Sequence, residues 1–132
     1  MNKPKYRSET KKAIDEIAQE LNLGNTQVIQ DWAYEVANYK DIEKYINHYK
    51  STTDSDKQFV LMQIIIQATE DQKEETEFVK YWNIVKNLLS INFKVHEYTM
   101  YYWSVFGANF TDSWRITPFM REVWNENQTT NH

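Results

Sequence analysis

Among 132 residues the sequence has no cysteine, two glycines, two prolines and three histidines. Without cysteine there is no disulfide framework, thiol nucleophile or thiolate metal site. Two glycines are too few for the loops that cradle phosphates or dinucleotides, and no Gly-x-Ser-x-Gly elbow is present. His48, His96 and His132 are scattered, with no His-Glu-x-x-His arrangement, and adjacent His96 and Glu97 point in different directions on a helix. Neither a metal site nor a cofactor is expected. No apolar run approaches the ~18 residues needed to span a bilayer. The opening MNKPKYRSETKK leads into no apolar targeting segment, so the expectation is a cytoplasmic protein with no membrane partner.

Charge of one sign is scarce in the body of the chain. Residues 1–12 carry five Lys or Arg against one Glu, whereas residues 13–132 carry ten basic against eighteen acidic groups, within a net charge of -4. An acidic body repels a phosphate backbone, so no nucleic-acid partner is expected, and the basic arm reads as a solvated terminus.

Apolar residues are plentiful: 41% hydrophobic with 15% aromatic can fill one core, and 132 residues fit a single domain with flexible ends at about 1–7 and 127–132. The longest apolar run, FVLMQIIIQA at residues 59–68, is compatible with a buried strand or helix. Its flanks favour a helix over 54–69, with Thr53 as cap and Asp56 in capping-box register. Gln58, Gln63, Gln67 and Glu70 form a narrow wet edge opposite Phe59, Met62, Ile65, Ile66 and Thr69. Such a helix belongs in the middle of a bundle.

The other stripes are shorter. Ser8 reads as the cap of a helix over 9–22 carrying Ala13, Ile14, Ile17, Ala18 and Leu21, closed by a left-handed Gly24. Thr26 caps a second, with Val28, Ile29, Trp32, Ala33 and Val36. Ile42, Tyr45, Ile46 and Tyr49 mark a third, and Phe78, Tyr81, Trp82, Val85, Leu88 and Leu89 require one over 75–90. A further stripe runs through Val95, Tyr98, Thr99, Tyr102, Trp103 and Phe106, with Asn92 as cap and Gly107 as stop. Thr117-Pro118 then places threonine at the cap and proline at the first helical position of a last short helix. The fold class is therefore all-α: a compact bundle of about six or seven short antiparallel helices, orthogonal or helical-repeat-like.

No reaction is legible, so function rests on acids and aromatics. Glu16 and Glu20 stand four apart, as do Asp31 and Glu35, Glu70 and Glu74, and Asp71 and Glu75 if a helix continues through them. Like charges at that spacing cost roughly 0.2–0.5 kcal/mol each, and solubility alone accounts for them as readily as complementarity to a basic partner. Nine Tyr, six Phe and five Trp exceed what one face needs, leaving Tyr39, Tyr45, Tyr49 and Tyr101 as candidates for an exposed rim. Core filling is the competing reading of these rings. The leading expectation is a small protein-binding module, one form of which is an inhibitor or immunity-type protein neutralising a basic enzyme. From a different class comes an enzyme or small-molecule-binding regulator with a pocket near Asp31, Glu35, Trp32 and Trp103. Homo-oligomerisation through the aromatic face is a third expectation.

Overall fold

The structure is a computed structural model and describes residues 3–24, 31–109 and 113–130. Among these residues are seven α-helices, one 3-10 turn and no strand, so the protein is an all-α bundle. The helices are α1 (Lys11–Glu20), α2 (Trp32–Val36), α3 (Ile42–Lys50), α4 (Ser55–Glu70), α5 (Glu75–Ile91), α6 (Phe93–Ser104) and α7 (Thr117–Thr130), with the 3-10 turn at Tyr39–Asp41. The expected cap at Thr26 and the stripe residues Val28 and Ile29 lie outside the described residues.

The apolar run organises the fold. In α4 every residue from Phe59 to Ile66 is buried, and the helix touches α1, α2, α3, α5 and α6. A helix apolar on nearly all sides loses solvent on nearly all sides, and each large side chain it buries contributes about 1.5–3 kcal/mol. One polar residue goes in with them: Gln63, expected on a wet edge, is buried because its amide Nε2 donates to Thr99 Oγ1 of α6 at 2.7 Å. The cap is also one residue later than the sequence suggests, with Asp54 Oδ1 accepting from Lys57 N at 3.0 Å.

The start of α1 shifts in the same way. Thr10, not Ser8, caps the helix, its Oγ1 accepting from Ala13 N at 3.2 Å. Ser8 and Glu9 therefore remain outside the helix, in a lead-in segment without regular structure. At the other end Asn22 takes the left-handed conformation (φ 54) that Gly24 was expected to supply. Leu23 N donates to Ala18 O at 2.8 Å and Asn22 N to Gln19 O at 3.3 Å, the paired bonds of a Schellman closure. Gly24 serves instead as acceptor, its carbonyl receiving Trp32 Nε1 at 2.6 Å.

The acidic stretch after α4 is a turn over residues 71–74, so the two acid pairs of the 70–75 stretch share no continuous helix. Glu70 faces the segment before α7: its carboxylate accepts Arg115 N and Ile116 N, both at 2.9 Å. Arg115 returns the contact, its Nη2 donating to Glu70 O at 2.5 Å and Gln72 O at 2.9 Å.

α6 departs most from expectation. Its inward face is Phe93, His96, Thr99, Met100, Trp103 and Ser104, so the stripe is rotated and Tyr98 and Tyr102 are left toward the edge. Tyr101 packs inward against Trp124 (5.6 Å between ring centroids) and Phe106 (5.7 Å), while Tyr102 is 42% exposed, the reverse of the sequence reading. His96 can face inward because Tyr49 Oη lies 2.7 Å from its Nε2, and Asn92 Nδ2 donates to the same oxygen at 2.7 Å. Asn92 thus stands at the expected cap position of α6 and also closes α5, its N–H donating to Leu88 O at 3.2 Å, but its side chain bonds Tyr49 and caps neither helix.

α6 ends at Ser104 and is closed by Val105, in the left-handed region at φ 46, two residues before the expected stop at Gly107 (φ 96). Arg121 holds that turn, with Nε donating to Ser104 O at 2.6 Å and Nη2 to Val105 O at 2.6 Å and Ala108 O at 3.0 Å. Thr117 is the first residue of α7 and not its cap: its Oγ1 donates to Trp103 O at 2.9 Å and accepts from Trp114 N at 3.2 Å. α7 runs through Thr130, beyond the point where the sequence suggests a frayed tail. Asn127 is buried, with Nδ2 donating to Val123 O at 2.8 Å and Ser90 Oγ at 3.2 Å.

Candidate functional site

The late cap of α1 and the rotated stripe of α6 meet at one place. The lead-in segment crosses α4 and α6, and beside it opens a cleft of about 510 Å³. Tyr6, Arg7, Ser8 and Glu9 form one wall, Tyr98, Thr99 and Tyr102 of α6 another, and Asp31 and Tyr34 close a side around α2. Phe59 and Gln63 of α4 also line it.

The walls are fixed by contacts outside the opening. Tyr6 meets Tyr98 edge to face at 5.1 Å. Arg7 pairs with Asp56 Oδ1 at 2.8 Å and lies 5.1 Å over the Phe59 ring, and its Nη1 donates to Val95 O at 3.5 Å. Tyr34 stands edge to face on buried Trp103 at 5.8 Å, and Tyr102 lies beside it across the cleft. Trp114 backs both, 4.4 Å from Trp103 and 5.7 Å from Tyr102. The Gln63–Thr99 bond joins the α4 and α6 residues of the lining.

Glu9 is the chemically unusual member. Its Oε2 is buried and has no hydrogen-bond partner among the described residues. Burial, and then the negative charge of Asp31, push its carboxyl from 4.5 up to about 7. Burial likewise pushes the Tyr34 hydroxyl up, with Tyr102 and Glu9 adding to it. The carboxyl thus sits near its midpoint around neutral pH, where a small change in surroundings alters its charge.

The expected site residues separate into three groups. Asp31 lines the cleft, but its neighbour there is Glu9, while Glu35 is exposed and Trp32 is buried beneath. Tyr45 and Tyr49 are in the core, with Tyr45 Oη accepting from Asn38 N at 3.1 Å, and Tyr101 is packed as described, so these rings present no exposed rim. Glu16 and Glu20 converge on Lys57: the ammonium donates to Glu20 and lies 3.6 Å from Glu16, and His48 Nε2 is 2.7 Å from Glu20. The bond from Lys57 holds the Glu20 carboxyl below its usual range. At the opposite end Asp71, Glu74 and Glu75 are exposed, and Gln72 Nε2 donates to Tyr39 O at 3.0 Å, tying that turn to half-buried Tyr39. Glu70 is engaged by the segment before α7.

Glu9, Tyr34 and Tyr98 were not singled out as ligand-facing from sequence. The available signal was Thr10, which stands three residues before Ala13, the first stripe residue, and so competes with Ser8 for the cap. Choosing it would have released Glu9 from the helix.

Among the described residues no group of three or more His, Asp or Glu side chains is placed to hold a metal ion, and no helix is long and apolar enough to cross a membrane. The chain matches no family model, no curated protein and no solved structure.

Proposed function

We propose that this protein is a small-molecule-binding module whose ligand occupies the cleft between the lead-in segment, α4, α6 and the Asp31–Tyr34 side. The observation that carries the reading is a preformed, aromatic-walled cleft with a buried carboxyl oxygen that no described residue satisfies. A volume of about 510 Å³ falls in the range of ligand pockets, which combine apolar walls with a few placed polar groups. A buried oxygen without a donor costs on the order of 1–3 kcal/mol, so a ligand group that donates to Glu9 Oε2 gains from an acceptor the described residues leave free. No nucleophile and base are paired there in a way that assigns a reaction, so the reading is binding. A fragment screen by ligand-observed NMR, followed by amide shift mapping, tests it. Hits that shift the amides of Glu9, Asp31, Tyr34 and Tyr102 are expected, and shifts confined elsewhere would refute the assignment.

A second reading is supported by the acidic turn beside Tyr39. Asp71, Glu74 and Glu75 form an exposed patch suited to a basic protein, including the enzyme target of an inhibitor or immunity-type protein. Its signature is an affinity that falls steeply with salt and is reduced by charge reversal at Asp71 and Glu74.

A further inference from the structure

We infer that the ligand of this cleft is an organic ammonium ion with a flat apolar body, its charge held between Glu9 and Asp31 and its body against the tyrosines. The inference rests on the binding reading above and adds the class of ligand.

Three observations carry it. First, the uncompensated charge of the lining is negative: Arg7 is the only Lys or Arg among the lining residues, and Asp56, which is not among them, already pairs with it at 2.8 Å. Asp31 and Glu9 remain. Second, Glu9 Oε2 is a buried acceptor with no described donor, and an ammonium group supplies three donors. Third, four of the lining residues are tyrosines, Tyr6, Tyr34, Tyr98 and Tyr102, and an aromatic ring approached on its face attracts a desolvated cation where it would repel an anion.

The placement of charge has a consequence for protons. The groups around Glu9 are Asp31 and Tyr34 from the α2 side, Arg7 and Tyr6 from its own segment, and Tyr98 and Tyr102 from α6, whereas α4 offers only Phe59 and Gln63. An entering cation opposes the field of Asp31 and favours ionised Glu9, whose carboxyl is pushed up to about 7 by burial and Asp31. Binding is accordingly coupled to release of the Glu9 proton. The affinity rises with pH until Glu9 is ionised and then levels off.

The test is calorimetric titration of the full chain with three probes of one shape: 2-phenylethylammonium, 2-phenylethanol and phenylacetate. At about pH 8 the ammonium should bind at least about tenfold more tightly than the alcohol, with the anion weakest, and its affinity should fall several-fold by about pH 6. Near neutral pH the heat should vary with the ionisation enthalpy of the buffer, reporting the released proton. Glu9→Gln should remove both the buffer dependence and the pH dependence, and Asp31→Asn should weaken ammonium binding while retaining a proton release. Equal binding of alcohol and ammonium, or an ammonium preference untouched by Glu9→Gln, overturns the cation inference while leaving a small-molecule cleft in place. Silence from all three probes at ~10 mM also overturns it. The binding reading itself falls only if the wider fragment screen finds nothing in the cleft.

Discussion

Replacing Glu9 by Gln converts the proposed anchor into a permanent neutral mimic of its protonated form, and the outcome can be worked through. In the unfolded chain the carboxyl titrates near 4.5, and in the folded protein at about 7. The folded state therefore holds this proton more tightly, and stability is lost as pH rises from 4.5 to about 7. Below that window the group is neutral in both states, and above it ionised in both. At about 1.4 kcal/mol per pH unit the interval sets a ceiling of about 3 kcal/mol, and because Glu9 is half-buried, solvent screening brings the expectation to about 1–2 kcal/mol. For a chain of this length that is about 4–7 °C in Tm. Tryptophan fluorescence during urea unfolding, from about pH 4 to pH 8, measures it in both proteins. The stability of Glu9→Gln relative to wild type should increase through the window and reach a plateau above it. A difference independent of pH would refute the claim that the cleft holds a strained carboxylate. A variant that gains stability while losing the proton linked to binding would show a site maintained against the stability of its own fold.

Other substitutions separate structural parts from the cleft. Arg121→Ala removes three bonds to the carbonyls that close α6 and should cost about 2–4 kcal/mol in urea unfolding, whereas Val105→Gly should relieve the left-handed strain by about 1 kcal/mol before the loss of its half-buried side chain is counted. Thr99→Val leaves the Gln63 amide short of an acceptor and should destabilise by about 1–3 kcal/mol, and Gln63→Leu added to it should restore part of that loss, a non-additivity that a double-mutant cycle measures. His96 behaves oppositely to Glu9: burial holds its imidazole down from 6.5 to about 3, so stability is lost as pH falls through that interval. Relative to wild type, His96→Gln should therefore gain stability on acidification, by at most about 1.4 kcal/mol per pH unit, and a flat difference would exclude His96 from acid unfolding.

How much of this was legible in the sequence depended on whether a residue's partner was local. The stripes of α1, α3, α4 and α5 were readable because period and burial coincide: Ile42, Tyr45, Ile46 and Tyr49 are all buried. Asp54 and Thr10 were displaced by one or two residues because several polar residues competed for each cap, and only packing of the following stripe chooses among them. Gln63 misled the reading because a side chain counted as polar became interior once Thr99 accepted its amide across 36 residues of sequence, and His96, which the sequence left unplaced, went inside with Tyr49 partnering its Nε2 across 47. The cleft depends on both kinds of error. It was not visible as a site, although the sequence did mark Asp31 as a carboxylate facing a pocket beside an aromatic helix.

The cleft walls also join parts of the chain that lie far apart in sequence. Arg7 reaches Val95 across 88 positions, and the Tyr6–Tyr98 and Arg7–Asp56 contacts fasten the same short segment. Closing such spans carries an entropy cost that grows slowly with their length and that the contacts of the segment must offset. The cleft is therefore complete only when residues 6–9 are docked on α4 and α6. A ligand that occupies the cleft would touch both the segment and the helices, and so oppose undocking of residues 6–9 by mass action.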